Sequence, residues 1–223
     1  MTPTPPTPRP LRPRAQGREV RQGGEVIIDT LTQLTKQVRV EAGQKLQYII
    51  PVLESVVEPR QREIVLAGEG AEVEIIGLFL GHGDDVLNLK LDTTHAAPNT
   101  KGRTEFKAVL SGKSQLEFNG MIKILKDAQN SNDYLQQNSL LLSEDARANA
   151  VPGLEIEANE VKAGHGATAG PVDPEQKFYL MSRGLSEEQA ETMIVQGFIA
   201  PILKAIPDEA LKQKILHALT KEL

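Results

Sequence analysis

Four histidines and no cysteine set the limits on the metal and nucleophile chemistry open to these 223 residues. Without a thiol there is no disulfide framework, no thiolate zinc site, no thiol nucleophile and no cysteine ligation of a cluster within the chain. His165 stands in Lys162-Ala163-Gly164-His165-Gly166-Ala167-Thr168, between two glycines that keep steric bulk low. A neutral imidazole there is a good borderline ligand for iron and can act with ligands from a second chain; the plainer reading is a turn histidine bonded to backbone. His82, in Gly81-His82-Gly83-Asp84-Asp85, has carboxylates beside it, but the glycine and glutamate offsets of a calcium loop are wrong, so it reads as a polar turn. His95 reads as a polar residue at a strand end or as a second metal ligand. His217 falls near the end of a C-terminal helix, where an imidazolium suits the helix dipole. Glu155 and Glu157 alternate with Leu154 and Ile156 and share one face of a strand. Paired carboxylates can serve as acid and base, but neighbours two apart on an exposed face are more simply solvated. Gly68-Glu69-Gly70 precedes no helix and has no Walker lysine, so it forms no phosphate loop.

The elements that must hold these residues are mainly β. Hydrophobic residues make up 39% of the chain while aromatics make up only 4%, so the core must be built from Val, Ile and Leu. From Glu25 to about Gly170, short apolar runs such as Val26-Ile27-Ile28, Val73-Glu74-Ile75-Ile76 and Val86 to Leu91 follow period two. Turn signals separate them at Gly68-Glu69-Gly70, Gly81 to Asp84, Ser111-Gly112-Lys113 and Asn119-Gly120. With no crossover helices and no strict hexapeptide repeat, a sandwich, a barrel and a solenoid all remain open on pattern alone.

Both ends of the chain differ from this body. Residues 1–22 hold six prolines in the first thirteen positions and five arginines against Glu19, giving +4 on a chain of net charge −5. Such a segment buries too little to fold alone and is expected to be a disordered, solvated tail; it lacks the aromatic or lysine cluster of a nucleic-acid binder. After Gly170, Asp173-Pro174-Glu175 opens a helix that Arg183-Gly184 closes. Ser186-Glu187-Glu188-Gln189 is a capping box for a second helix, which Pro201 is expected to kink or end, and a third runs from Asp208 to Leu223. The expected division is therefore a tail (1–22), a β body (23–171) and a small helical domain (172–223). No run of about 18 apolar residues and no apolar N-terminal segment is present, so the expectation is a soluble, cytoplasmic protein.

A series of ordered segments between Glu105 and Phe198 resembles the SufB/SufD family of iron–sulfur cluster assembly proteins, on the SufD side. Phe118-Asn119-Gly120 is similar to the family's F-x-G segment, and Pro152-Gly153-Leu154-Glu155-Ile156 to its P-x-L-E-I strand. Gly164-His165-Gly166-Ala167-Thr168-Ala169-Gly170 is similar to its S-H-G-A-T-x-G turn, and Phe178-Tyr179-Leu180 with Ser182-Arg183-Gly184-Leu185 to its F-Y-L-x-S-R-G helix. His95 also resembles a histidine at the end of an upstream family strand. The resemblance implies a right-handed parallel β-helix followed by a small helical domain. It further implies a non-catalytic scaffold that pairs with a SufB-like chain or a second copy and docks a SufC-like ATPase through its C-terminal helices.

On that basis His165 becomes a possible ligand for iron or a cluster and His95 a weaker one. No cofactor is expected to stay tightly bound to this chain alone; iron or an iron–sulfur cluster would reside only transiently in the complex. Phe178, Met181, Met193, Ile194, Phe198 and Ile202 become the candidate partner-binding residues, because so many large apolar groups cannot all be buried in about fifty residues. Three departures bear on chemistry. Ala146 stands at the SufB-type cysteine position, Gly166 at the SufB-type glutamate and Ala163 where SufD relatives often carry cysteine. Two other functions remain: a structural binder of the ATPase without a cluster role, and a solenoid or cupin-like metal enzyme. The second is disfavoured because neither a His-x-His pair with a downstream glutamate nor hexapeptide periodicity is present.

Overall fold

A computed structural model describes residues 19–21 and 24–220. The expected tail therefore lies largely outside the described residues. Within it, only Glu19–Arg21 can be compared, and these form a short strand.

Two sheets face each other and the chain winds between them in about five turns. One sheet holds seven strands in the order β1 (Glu19–Arg21), β2 (Gly24–Ile28), β4 (Lys45–Val52), β6 (Glu72–Gly81), β8 (Lys101–Leu110), β10 (Asn132–Leu141) and β12 (Lys162–Pro171). The other holds β11 (Arg147–Ile156), β9 (Gln115–Ile124), β7 (Val86–His95), β5 (Val56–Leu66) and β3 (Thr35–Val40). Every pairing is parallel except β1 with β2. This is the parallel β-solenoid.

Alternation along each strand explains the stacking. Odd-numbered positions of β10 and β12 face inward, and the parallel register places equal positions of successive coils above one another. One such column runs Ile27, Tyr48, Ile75, Thr104, Leu135, His165. Inward residues from both sheets make one continuous core that includes Tyr48, Ile64, Phe79, Phe106, Phe118 and Ile122. The Phe106 and Phe118 rings meet at 4.8 Å between centroids. One corner repeats as well: Gly70, Asn99 and Asn130 take left-handed φ of 69°, 59° and 60°, a conformation in which Gly and Asn are the least strained residues.

Two glycine-based turn assignments fail. Asn119-Gly120 lies inside β9, and Gly164 to Gly170 lies inside β12. Neither segment contains a positive-φ residue. Glycine serves there to let neighbours approach: a Cβ on Gly120 would stand 2.5 Å from Leu135 Cδ1.

The three helices are α1 (Pro174–Ser182), α2 (Glu187–Ala205) and α3 (Glu209–Thr220). Asp173 caps α1 and Ser186 with Gln189 forms the capping box of α2, as the sequence predicts. Pro201 does not end α2, which continues to Ala205. A proline at that position removes the bond to the Gly197 carbonyl, and Lys107 Nζ binds the neighbouring Phe198 carbonyl at 2.6 Å. The helices do not form a separate core. Val195, Ile199, Ile202, Ile206, Ile215 and Leu219 pack on the outer face of the seven-stranded sheet, against Ile49, Ile76, Leu78, Leu80 and Val109.

Candidate functional site

Both sheets run out at the same end of the solenoid. β12 pairs only with β10, and β11 only with β9, so each presents a free edge of ten residues. The inward row of β12 is Ala163, His165, Ala167, Ala169 and Pro171, above Asp133, Leu135, Gln137, Ser139 and Leu141 of β10. The inward row of β11 is Ala148, Ala150, Pro152, Leu154 and Ile156, above the buried Leu116, Phe118, Gly120, Ile122 and Ile124. Leu154 and Ile156 stay 38% and 43% exposed, although their positions one coil below are fully buried. The floor of this end is thus apolar, small on the β12 side and larger at Leu154 and Ile156, with one imidazole in it. His165 is exposed on an inward-facing position, and its ring has no hydrogen-bond or ionic partner among the described residues.

The other three histidines are placed differently. His95 is fully buried at the end of β7, with Nδ1 2.7 Å from Thr100 Oγ1 and Nε2 2.9 Å from Asp133 Oδ2. Thr100 Oγ1 also meets Ser131 Oγ at 2.7 Å. Room for the Asp133 carboxylate exists only because residue 102 is glycine, where a Cβ would lie 2.3 Å from Oδ2. Both ring nitrogens of His95 are thus engaged by protein partners in this structure. Its function here is to tie the β7–β8 corner to β10. His82 sits in the expected turn with Nε2 3.5 Å from Asp85 Oδ2, and His217 lies in the last turn of α3. Glu155 is exposed and paired to Lys123 at 2.9 Å.

The opposite end of the solenoid is closed by charge. Arg62, inward on β5 and fully buried, donates to Asp29 through Nε at 2.7 Å and Nη2 at 3.3 Å. Its remaining donors reach the carbonyls of Gln33, Gln61 and Leu34. The Tyr48 hydroxyl donates to Asp29, the Leu31 amide caps its second oxygen at 2.9 Å, and Lys36 Nζ lies 3.5 Å away. Burial alone would push the Asp29 carboxyl up; the hydrogen bonds from Arg62 and Tyr48, with the Arg62 charge, outweigh it and hold the group below its ordinary value. Burial and the bond to Asp29 push the Tyr48 phenol above its usual range.

The six candidate partner residues separate into two sets. Phe178, Met181 and Met193 are exposed, Phe178 to 74%, and Tyr179 joins them. Ile194 is half-buried. Ile202, at 1% exposure, is spent on the contact with the sheet. Phe198 packs beside it, with Lys107 Nζ 4.8 Å from its ring centroid. α1 buries no residue and is held to α2 partly by Lys177, which bridges Glu187 at 2.7 Å and Glu191 at 3.3 Å.

Among the described residues, no group of three or more His, Asp or Glu side chains is arranged to hold a metal ion. A lone imidazole suits iron by chemistry but needs ligands from elsewhere. No helix among them is long and apolar enough to cross a membrane.

Residues 28–198 match the family described as the SufBD core domain of the SUF system for FeS cluster assembly. The chain belongs to the SufBD family. It is 34% identical to the iron–sulfur cluster assembly protein SufD of Escherichia coli over 158 residues, covering 71% of this chain and 37% of that one. The Bacillus subtilis SufD is 33% identical, with 71% and 36% covered. A SufBD family protein of Mycobacterium bovis is 30% identical over 203 residues, covering 87% and 51%. The chain thus matches at most about half the length of these relatives. The SufBD match extends the resemblance read from Glu105 to Phe198 upstream to residue 28, into strands that carry no recognisable motif.

Reading the sequence missed two features of this SufBD solenoid. One is the His95–Asp133 pair, whose members lie 38 residues apart. The other is a corner repeat that was available: Gly68-Glu69-Gly70-Ala71, Ala97-Pro98-Asn99-Thr100 and Ala128-Gln129-Asn130-Ser131 recur at about one coil's length, each with a left-handed third residue.

Proposed function

We propose that this chain is a SufD-like scaffold subunit that catalyses no reaction of its own and contributes His165 to a site completed by another chain. The observation carrying this reading is the placement of His165: an unpartnered imidazole on the inward row of a terminal strand, beside two free sheet edges. The cargo would be iron or a forming iron–sulfur cluster. Thiolates are the usual cluster ligands, and this chain has none, so the remaining ligands must come from the chain that pairs with its open end. A SufB-like chain is the preferred partner, and a second copy is the other.

The exposed face of α1 and the first turns of α2, formed by Phe178, Tyr179, Met181 and Met193, is the proposed seat of a SufC-like ATPase. Aromatic and methionine side chains favour such interfaces. Co-expression with SufB-like and SufC-like proteins, followed by size-exclusion chromatography with mass and iron analysis, tests both parts. A defined complex that loses iron on His165→Ala supports the scaffold reading. A complex whose iron is indifferent to His165 reduces the chain to a structural subunit, and failure to bind either protein defeats the reading altogether.

A further inference from the structure

α2 is one helix whose two halves are held differently. Residues 198–205 lie on the solenoid: Phe198, Ile199, Ile202 and Leu203 pack against the outer face of the seven-stranded sheet. Lys107 Nζ donates to the Phe198 carbonyl at 2.6 Å, and Gln47 Nε2 donates to the Ala205 carbonyl at 3.0 Å. Of residues 187–197, only Val195 belongs to that apolar contact. The rest of this half is held by α1. Lys177 bridges Glu187 and Glu191, and Ile194 lines a shallow groove with Tyr179 and Leu180. α1 buries none of its own residues and follows β12 after Val172 and Asp173 alone.

Where the halves meet, Gly197 and Pro201 weaken the helix at a single point. Proline has no amide hydrogen, so the bond that residue 201 would make to the Gly197 carbonyl is missing, and its ring crowds that same carbonyl. Glycine is itself the poorest helix former after proline. Neither of the usual reasons for a glycine applies at 197. Its φ is not positive, and a Cβ there would meet nothing within 4 Å beyond its own helix backbone. Pro201 is exposed, so no packing requires its ring either. Helices bend at residues of this kind.

We infer that α2 is hinged at Gly197, in the turn that Pro201 leaves unbonded, so that α1 and residues 187–196 rock as one body while residues 198–205 keep their place on the solenoid. Hinges are formed by the few residues that absorb a change in backbone angle, and small ones suit the role. Lys107 sets the far limit of the movement, because it fixes the first carbonyl beyond Gly197 and keeps bending from reaching Ile199 and Ile202. Val195, on the near side, is the contact that must slide. The hinge does not depend on the scaffold reading. Where that reading holds, the face formed by Phe178, Tyr179, Met181 and Met193 can follow a moving occupant without loosening the sheet contact.

The chain has no cysteine, so spin labels can be placed at chosen positions of the full-length protein. One sample carries Lys126→Cys with Met193→Cys, the other Lys126→Cys with Lys204→Cys; all three positions are exposed. Pulsed electron resonance then reads the distance from the solenoid to each half of α2. The 126–193 distribution is expected to be about twofold wider than the 126–204 distribution. Gly197→Ala combined with Pro201→Ala restores the missing bond and adds a Cβ where there is room for one. It should narrow the first distribution to the width of the second, leave the second unchanged, and raise the melting temperature. Equal widths before that double substitution, or a wide 126–193 distribution that survives it, overturn the hinge. Because no partner is present, neither result bears on whether the exposed face seats an ATPase.

Discussion

The two ends of the solenoid solve the same problem in opposite ways. Near the first coil, Arg62 and Tyr48 of the second coil are buried against Asp29, with Lys36 beside it, and all five guanidinium N–H donors of Arg62 have acceptors. At the last coil, the inward row of β12 shrinks to alanine around His165, and Leu154 and Ile156 on the inward row of β11 are left partly exposed. A free sheet edge invites pairing, and proteins that do not want it add charge or cover. Among the described residues β3 is an edge strand as well, so the two ends differ in the side chains that line the core and not in the number of free edges.

The contrast can be broken most severely at the sealed end. Arg62→Met should cost about 3–5 kcal/mol in denaturant unfolding, because it strands Asp29 as a buried charge without its main partner. Next comes a matched pair at the open end. Leu135→Ala, one coil down, should cost about 2–4 kcal/mol through cavity formation, whereas Ile156→Ala should cost under about 1 kcal/mol in the unpaired chain. The second value should rise when the chain is paired.

The acid response sharpens the comparison further. A carboxyl held below its ordinary value contributes stability that is complete above the unfolded carboxylate pKa of about 3.9 and is lost as pH falls toward the folded value. Amide exchange of residues 27–31 should therefore accelerate below that pH before exchange in β12 does, and Asp29→Asn should remove the difference. The smallest effect expected is that of Glu72→Ala on the outer ladder, where Lys45 and Lys101 bridge the carboxylate at 2.9 and 3.0 Å. Exposed pairs of this kind contribute roughly 0–1 kcal/mol.

Which parts of this were legible in the sequence follows from how local each signal is. The helices were, because capping at Asp173 and Ser186 is written in adjacent residues. The β body was visible as alternation, and the family motifs located His165. The solenoid itself was not visible by pattern, because its regularity lies in a corner repeat about thirty residues long and not in the strands. The glycines of β12 pointed the wrong way: glycine is the same letter whether a turn needs its φ or Tyr134 needs its missing Cβ. The hydrogen bonds of His95 were not legible because its partners, Thr100 and Asp133, become neighbours only when coils stack. Ile202 looked available because the outer face of the sheet it covers is assembled from β4, β6 and β8, far upstream.

Chain order would hang the helical unit from β12, a terminal strand paired on one side only. Packing attaches it elsewhere: α2 rests on Ile49, Ile76, Leu78, Leu80 and Val109, and is bolted by Lys107 to the Phe198 carbonyl and by Gln47 to the Ala205 carbonyl. In mechanical terms, a load applied at α1 is carried into the middle of the solenoid and bypasses its last strand. A partner pulling on the helices and a partner seated on the open end would therefore strain different parts of the same beam.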